Sequence, residues 1–216
     1  MAKKLLQVEL LADESPKEWS EGRVLRMRRL KVRNAYQDGE VSREYGVELA
    51  QHRGHDAVAV IPYWIEDDTY KVMLLRSFRP ALLFRDFQPE SEPFLVECVA
   101  GVLEAGEGDG PGIRHRAARE TLEEAGFRVE ENEVQILGVP FYASPGVYTE
   151  KIWVTTAQVD PRLKVEPLLD GSVFEELIEP LPLALDVALE WLERGLIRDA
   201  KTEIALMRFA HWLGVA

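Results

Sequence analysis

The segment Arg119-Glu120-Thr121-Leu122-Glu123-Glu124-Ala125-Gly126-Phe127 decides how this sequence is interpreted. The pattern around it predicts a helix over residues 113–125 that ends at Gly126. Residues three and four apart share one face of a helix, so Glu120 should lie beside both Glu123 and Glu124. Carboxylates on one face repel each other. The segment is therefore either a solvated acidic face or a set of oxygen ligands for a hard divalent cation.

The residues before this helix favour the cation. A predicted buried strand at 94–100 runs into Ala100-Gly101, and Glu107 follows. A glycine-rich stretch, residues 108–112, comes next and should form a flexible loop. Close-set carboxylates on a rigid helix beside such a loop suit Mg²⁺, which takes oxygen ligands, keeps some waters and bridges to substrate phosphates. This arrangement points to metal-assisted chemistry on phosphates.

Together the two segments resemble the Nudix box, G-x5-E-x7-R-E-U-x-E-E-x-G-U, in which U is a bulky apolar residue. Gly101 and Glu107 match its first half, and the stretch from Arg119 to Phe127 matches its second half. The sequence departs from the pattern in two places. Eleven residues, 108–118, separate Glu107 from Arg119, and Thr121 stands where an apolar residue is usual. The longer spacing leaves the role of Glu107 open.

The resemblance implies a metal centre. Glu120 and Glu124 would be the main ligands of Mg²⁺, with Mn²⁺ as the alternative ion, and the backbone carbonyl of Ala100 would join them. Glu123 would be a further or outer ligand. Gly101, Arg119 and Gly126 would maintain the loop–helix–loop structure. Arg119 would do so by pairing with a carboxylate.

The general base is expected on a loop outside the box, as in the ADP-ribose pyrophosphatases that this chain resembles. The corresponding region is residues 169–176, so Glu175 and Glu176 are the candidates. Glu123 is the alternative.

Segments outside the box resemble the ADP-ribose and nucleoside-diphosphate-sugar pyrophosphatases of this family. They include Phe78-Arg79-Pro80-Ala81, the strand into Gly101, Ser144-Pro145-Gly146 and Asp199-Ala200-Lys201-Thr202. Each has a plainer interpretation: a surface arginine at a strand end for the first, and a turn for Ser144-Pro145-Gly146. Substrate binding is expected at four residues: Arg79 and Glu150, which lie in the resembling segments, Glu97, whose carboxylate points either to solvent or into the site, and Trp19, which could stack on a base or simply pack.

Composition excludes several classes of protein. The formal net charge of −12 opposes binding to nucleic acid. No apolar run approaches the roughly 20 residues that span a bilayer, and the first residues do not resemble a signal peptide. Cys98 is the single cysteine, so no internal disulfide can form. These features favour a cytoplasmic protein without a membrane partner.

The order of predicted elements indicates an α/β (α+β) fold, with a mixed sheet covered by helices. Strands are predicted at 57–61 (ended by Pro62), 71–75, 94–100, 134–139, 151–156 and 174–178, and helices at 113–125, 182–194 and 199–213. The resemblance implies a Nudix α/β/α sandwich over residues 54–216. Residues 1–53 would form a small antiparallel β extension that supports a homodimer and recognises the base. A cluster of arginines and lysines at 23–33 is interpreted as a solvated edge strand.

The expected activity is Mg²⁺-dependent hydrolysis of the pyrophosphate bond of a nucleoside diphosphate sugar, giving a nucleoside monophosphate and a sugar phosphate. ADP-ribose or an ADP-sugar is favoured. UDP- or GDP-sugars and dinucleoside polyphosphates remain as alternative substrates of the same enzyme. A non-catalytic Nudix-like module that binds a nucleotide as a regulator is the alternative from another class.

Overall fold

The structure, a computed structural model, describes residues 3–17, 25–52, 56–87, 90–168 and 177–215. The chain divides into two compact units. The first comprises Met1–His55 with Tyr142–Glu150, and the second comprises Asp56–Phe141 with Lys151–Ala216. None of the helices in the described part of the chain has the length and apolarity needed to cross a bilayer.

The first unit contains a three-stranded antiparallel sheet. Its strands are β1 (Leu5–Asp13), β2 (Leu25–Tyr36) and β3 (Tyr45–His52), in the order β1-β2-β3. A turn follows β2 at Asp38-Gly39, where Gly39 has a positive φ of 83° and its N–H donates to the carbonyl of Tyr36.

The basic cluster lies on the central strand of this sheet, so the expected edge strand is wrong. Acidic side chains on both neighbouring strands explain the difference. Arg33 pairs with Glu9 on β1 at 2.6 Å, and Arg29 pairs with Glu48 on β3 at 2.7 Å. Cross-strand pairs of opposite charge favour this register, although each exposed pair is worth only about 0.2–1 kcal/mol.

The second unit is built on a larger mixed sheet with the strand order β10-β5-β6-β4-β9-β7. The strands of the chain from β4 onward are β4 (Ala57–Glu66), β5 (Thr69–Phe78), β6 (Phe94–Val102), β7 (Gln135–Ile136), β8 (Phe141–Tyr142), β9 (Lys151–Gln158) and β10 (Glu179–Ala184). The helices are α1 (Gly110–Ala125), α2 (Leu185–Glu193) and α3 (Ala200–Leu213). Strands β4 and β9 run parallel, whereas β5 pairs antiparallel with both β4 and β6.

Alternation along the central strands creates two cores. On one face, Ile61 and Leu74 pack in a cluster with Phe209 of α3. On the other face, Val60 and Leu75 pack with residues of α1. Helices therefore cover both faces of the sheet, which confirms the predicted α/β/α architecture.

Strand β4 continues past Pro62, where the sequence predicted its end. Residues 57–60 of β4 pair with β6, and residues 63–66 pair with β5. Pro62 lies between these two antiparallel segments and opposite Ala157 of β9, so its missing N–H interrupts neither of the two antiparallel ladders. Asp67 and Asp68, with φ values of 49° and 58°, form the turn between β4 and β5.

The last strand is β10 rather than the predicted strand at 174–178. Of that range, the structure describes residues 177 and 178, and neither is in a strand. Residues 174–176 lie outside the described residues, and Ile178 precedes the strand. Pro182, where the sequence predicted a helix start, lies in β10 together with Pro180. The strand is at the edge of the sheet and pairs only with β5 among the described strands, and prolines are tolerated there. Helix α2 therefore starts at Leu185 rather than at Pro182.

Helix α1 is longer than predicted, because it includes part of the stretch expected to be a flexible loop. Asp109 caps the helix by accepting from the N–H of Gly112 at 3.0 Å, and Pro111 lies in the first turn. A capping aspartate followed by a proline favours a helix start in spite of two glycines. At the other end, Gly126 closes the helix in the left-handed conformation, as predicted.

We predict that Gly126→Ala costs more stability than Gly214→Ala. Both glycines cap a helix with a positive φ, 76° and 74°, so each substitution carries a similar backbone penalty of about 1 kcal/mol. A Cβ at Gly126 would lie 2.1 Å from the carbonyl oxygen of Val165, whereas no described atom lies within 4 Å of one at Gly214. Urea unfolding should show a further loss of about 1–3 kcal/mol for Gly126→Ala. Equal losses would contradict this account.

Candidate active site

The carboxylate of Glu120 lies against the backbone of strand β6. A Cβ built on Gly101 would lie 1.9 Å from Oε1 of Glu120 and 2.0 Å from its Cδ. Any side chain at position 101 would therefore occupy the space of this carboxylate. The glycine is needed for this close approach rather than for an unusual φ.

Glu124 is held by the residue next to Gly101. Its Oε2 accepts a hydrogen bond from the backbone N–H of Ala100 at 3.0 Å. Glu120 and Glu124 are one helical turn apart on α1, while Ala100 and Gly101 are consecutive on β6. The two carboxylates thus converge on one end of a buried strand.

Glu120 lies in an environment that disfavours a bare negative charge. Burial and, to a smaller extent, the nearby carboxylate of Glu123 raise the pKa of Glu120 to about 7, against the opposing effect of Arg116. A carboxylate in such a place gains stability from any cation that binds beside it.

Arg116 is the buried cation of the loop and helix, and sequence analysis did not single it out. Only 6% of its side chain is exposed. Its Nε and Nη2 donate to the two carboxylate oxygens of Glu107 at 2.9 and 3.2 Å, and Nη2 lies 2.7 Å from Glu104. Its Nη1 lies 3.6 Å from Oε1 of Glu120. Burial opposes the charge, but Glu107 and Glu104 keep the pKa of Arg116 above its ordinary value.

Arg119, the arginine of the box, has more exposed partners. It pairs with Glu123 one turn along the helix at 2.6 Å, and its Nη1 lies 3.9 Å from Glu104. The side chain of Arg119 is 45% exposed, so its ion pairs with the loop and helix are weaker contacts than those of the buried Arg116. The guanidinium that clamps Glu107 is thus Arg116, one turn earlier on α1.

Spacing could have identified Arg116. The box pattern places its arginine eight residues after the first glutamate. Arg116 follows Glu107 by nine residues and Arg119 follows it by twelve. Because α1 begins directly after Asp109, the nearer arginine reaches the loop. Thr121, the other departure from the pattern, is fully buried, and its hydroxyl donates to the carbonyl of Ala117 at 2.7 Å.

The carboxylates fit a cation that completes its shell with water and phosphate oxygens. Within the described residues, no group of three or more histidine, cysteine or acidic side chains is arranged to hold a metal ion. Mg²⁺ commonly binds one or two carboxylates together with waters and substrate phosphates. Glu120 and Glu124 supply two carboxylates, and the space that Gly101 leaves open keeps one of them at the strand end.

Glu124 also lines an open cleft of about 470 Å³. The other lining residues include Lys164, Glu166 and Ile178. The backbone N–H of Val165 donates to the carbonyl of Gly126 at 2.8 Å, which fixes this segment at the end of α1. The cleft gives a small molecule access to Glu124.

Arg79 and Glu97 form a second polar cluster of the second unit, together with Lys201. Glu97 is buried, with 3% of its side chain exposed. Its Oε2 accepts from Nε of Arg79 at 2.7 Å, and its Oε1 accepts from Nζ of Lys201. Both carboxylate oxygens of Glu97 therefore accept from cationic side chains of the same unit.

The remaining expected site residues lie elsewhere or are not described. Glu150 lies in the first unit, where its carboxylate accepts from the hydroxyl of Tyr148 at 3.3 Å. Ser144-Pro145-Gly146 forms a turn in which the carbonyl of Ser144 accepts from the N–H of Tyr148 at 2.8 Å. Three expected residues lie outside the described residues: Trp19, Glu175 and Glu176.

Known proteins resemble this chain over most of its length. A GDP-mannose pyrophosphatase of Cronobacter sakazakii is 35% identical over 169 residues, 78% of this chain and 79% of the relative. An ADP-ribose pyrophosphatase of Escherichia coli is 31% identical over 178 residues, 82% of this chain and 75% of the relative. A crystal structure of an ADP compounds hydrolase superposes with a TM-score of 0.62 at 21% identity, covering 99% of this chain and 95% of that one. No family model matches the sequence.

The solved structure supports the fold, and the two relatives carry the family assignment. Both exceed 30% identity, and the chain covers at least three quarters of each. Together with the glutamates on α1 and the close approach at Gly101, this similarity shows that the chain belongs to the Nudix family of hydrolases, which act on phosphorus-containing anhydrides.

Proposed function

We propose that this Nudix hydrolase cleaves the pyrophosphate bond of ADP-ribose or an ADP-sugar, giving AMP and a sugar phosphate, with Mg²⁺ (or Mn²⁺) held by Glu120 and Glu124. The observation that carries the proposal is the convergence of these two carboxylates on Ala100 and Gly101. The relative named ADP-ribose pyrophosphatase supports the substrate class.

A bound divalent cation would supply charge stabilisation for the pyrophosphate oxygens and lower the pKa of a bound water. The chain supplies the positions of the carboxylates. Gly101 lets Glu120 approach the strand, and the N–H of Ala100 fixes one oxygen of Glu124. We assign the carbonyl of Ala100 as a further ligand. Catalysis by positioning and charge is what phosphoryl chemistry requires.

We keep the general base in the segment that carries Glu175 and Glu176. Its rival, Glu123, accepts two hydrogen bonds from Arg119 on one oxygen, at 3.2 and 2.6 Å. These two hydrogen bonds commit that oxygen of Glu123 to a pairing along α1. This pairing favours Glu175 and Glu176 over Glu123.

Arg79 is our candidate for contact with the phosphates. Among the described residues only Glu97 contacts its guanidinium, at Nε, and the side chain of Arg79 is 47% exposed. Its terminal nitrogens can therefore donate to an anion, as a guanidinium does well. We assign recognition of the base to the first unit, through residues such as Trp19 and Glu150, and infer a homodimer.

A GDP-sugar is the second candidate substrate, because a relative is named GDP-mannose pyrophosphatase. The regulator without activity is disfavoured, since both carboxylates and the glycine that accommodates Glu120 are intact. The localisation that we propose is the cytoplasm.

The substrate is tested by incubating the protein with Mg²⁺ and separate ADP-ribose, ADP-, UDP- and GDP-sugars. Released nucleoside monophosphate is measured by chromatography. We expect the largest kcat/KM for an adenine substrate. A larger value for GDP-mannose would move the assignment to the second candidate, and no turnover on any member of the panel would reject the proposed activity.

We predict that Gly101→Ala lowers kcat by about a hundredfold, because the new methyl group displaces the carboxylate of Glu120 and misplaced catalytic groups cost rates of this order. Glu120 is a flexible side chain, so the fold should survive. Gly108→Ala is the matched control, since no described atom lies within 4 Å of its Cβ and its φ is not positive. Initial rates with saturating substrate check both variants. Equal rates for the two would show that the close approach at Gly101 is not needed.

A further inference from the structure

We propose that Lys201 is a positioning residue for Arg79, acting through the buried carboxylate of Glu97. The inference rests on the proposed function, because it concerns how Arg79 is presented to an anionic substrate. Lys201 has no expected role in the reaction. Its side chain is largely buried, with 17% of it exposed.

The geometry forms a chain of three charges. Nζ of Lys201 donates to one oxygen of Glu97, and Nε of Arg79 donates to the other oxygen at 2.7 Å. A carboxylate as buried as Glu97 is costly unless it is paired and hydrogen-bonded. With one cation on each oxygen, its charge is shared between Lys201 and Arg79.

Lys201 is charged and well anchored. Burial lowers the pKa of Lys201, but the carboxylate of Glu97, with contributions from Cys98 and Asp199, raises it above its ordinary value. Its Nζ also donates to Oδ2 of Asp199 at 2.9 Å. The ammonium group thus bridges two carboxylates.

The first turn of α3 is locked to strand β6 at the same place. Asp199 caps α3 by accepting from the N–H of Thr202 at 3.0 Å. The hydroxyl of Thr202 accepts from the N–H of Cys98 at 2.8 Å, directly beside Glu97 in sequence. The positions of Lys201 and Glu97 are therefore fixed relative to each other by backbone contacts.

Arg79 is the adjustable member of the chain. It lies just after strand β5, and its backbone N–H donates to the carbonyl of Pro93 at 2.6 Å. Beyond the bond to Glu97, no side-chain hydrogen bond or ion pair of Arg79 is present among the described residues. Without Lys201, the whole charge of Glu97 would act on Arg79 and draw its guanidinium inward, away from an incoming anion.

The test compares Lys201→Met with wild type on ADP-ribose in the presence of Mg²⁺. We expect KM to rise about tenfold while kcat changes by less than about threefold, because a binding group is lost equally from ground state and transition state. Lys201→Arg keeps the charge and should restore most of the affinity. Glu203→Gln, an exposed change on the same turn of α3, is the matched control and should leave KM unchanged.

A double-mutant cycle separates positioning from a structural effect. On an Arg79→Ala background, Lys201→Met should raise KM no further, because both changes remove the same contact. Additive effects, or a fall in kcat alone, would overturn the inference. Glu97→Gln removes the charge through which Lys201 acts, so on that background Lys201→Met should also raise KM no further, and a further tenfold rise would overturn the inference.

The wild-type rate separates a failure of the role of Lys201 from a failure of the proposed function. An active wild type with an unchanged KM in Lys201→Met rejects the role of Lys201 alone. A wild type that is folded but inactive on every nucleoside diphosphate sugar rejects the proposed function, and the role of Lys201 falls with it.

Discussion

Arg116 is buried between the loop and the helix, and its guanidinium contacts the carboxylates of Glu107, Glu104 and Glu120. A buried cation is tolerated only when its partners are in place, and removing one partner of such a group is strongly destabilising. The loop after β6 and the first turns of α1 must therefore assume their positions together. Because Asp109 caps α1 early, the helix presents Arg116 to this loop, and Glu120 follows one turn later at the strand end.

The same strand carries both functional clusters of the second unit. At Ala100 and Gly101, β6 receives the carboxylates of α1, and three residues earlier Glu97 joins Arg79 to the first turn of α3. Helices α1 and α3, on opposite faces of the sheet, thus each place charged side chains against β6. The proposed metal ligands and the arginine proposed to bind phosphate thus contact a single strand, which favours the precise positioning that phosphoryl chemistry needs.

The carboxylates of α1 and the sandwich could be predicted because they depend on local periodicity and on a short motif. The features that were missed depend on tertiary partners. Nothing local shows that Pro62 lies between two ladders or that prolines of β10 lie at an edge. In the sequence, Arg116 is one of several charged residues on a helix. Only the tertiary structure shows that the loop places Glu104 and Glu107 against its guanidinium. Glu97 was expected to meet substrate, and only the fold shows that Arg79 and Lys201 contact its two carboxylate oxygens.

The central claim is that Glu120 and Glu124 hold the divalent cation on which activity depends. The most direct measurement compares Mg²⁺-dependent hydrolysis of ADP-ribose by wild type and Glu124→Gln, after chelation with EDTA and re-addition of Mg²⁺. The carboxamide oxygen of the substituted side chain can still accept from the N–H of Ala100, so the fold should be kept, as circular dichroism can verify. We expect wild type to lose and regain activity, and kcat of the folded variant to fall by at least about a hundredfold. A folded Glu124→Gln enzyme with wild-type kcat would contradict the account.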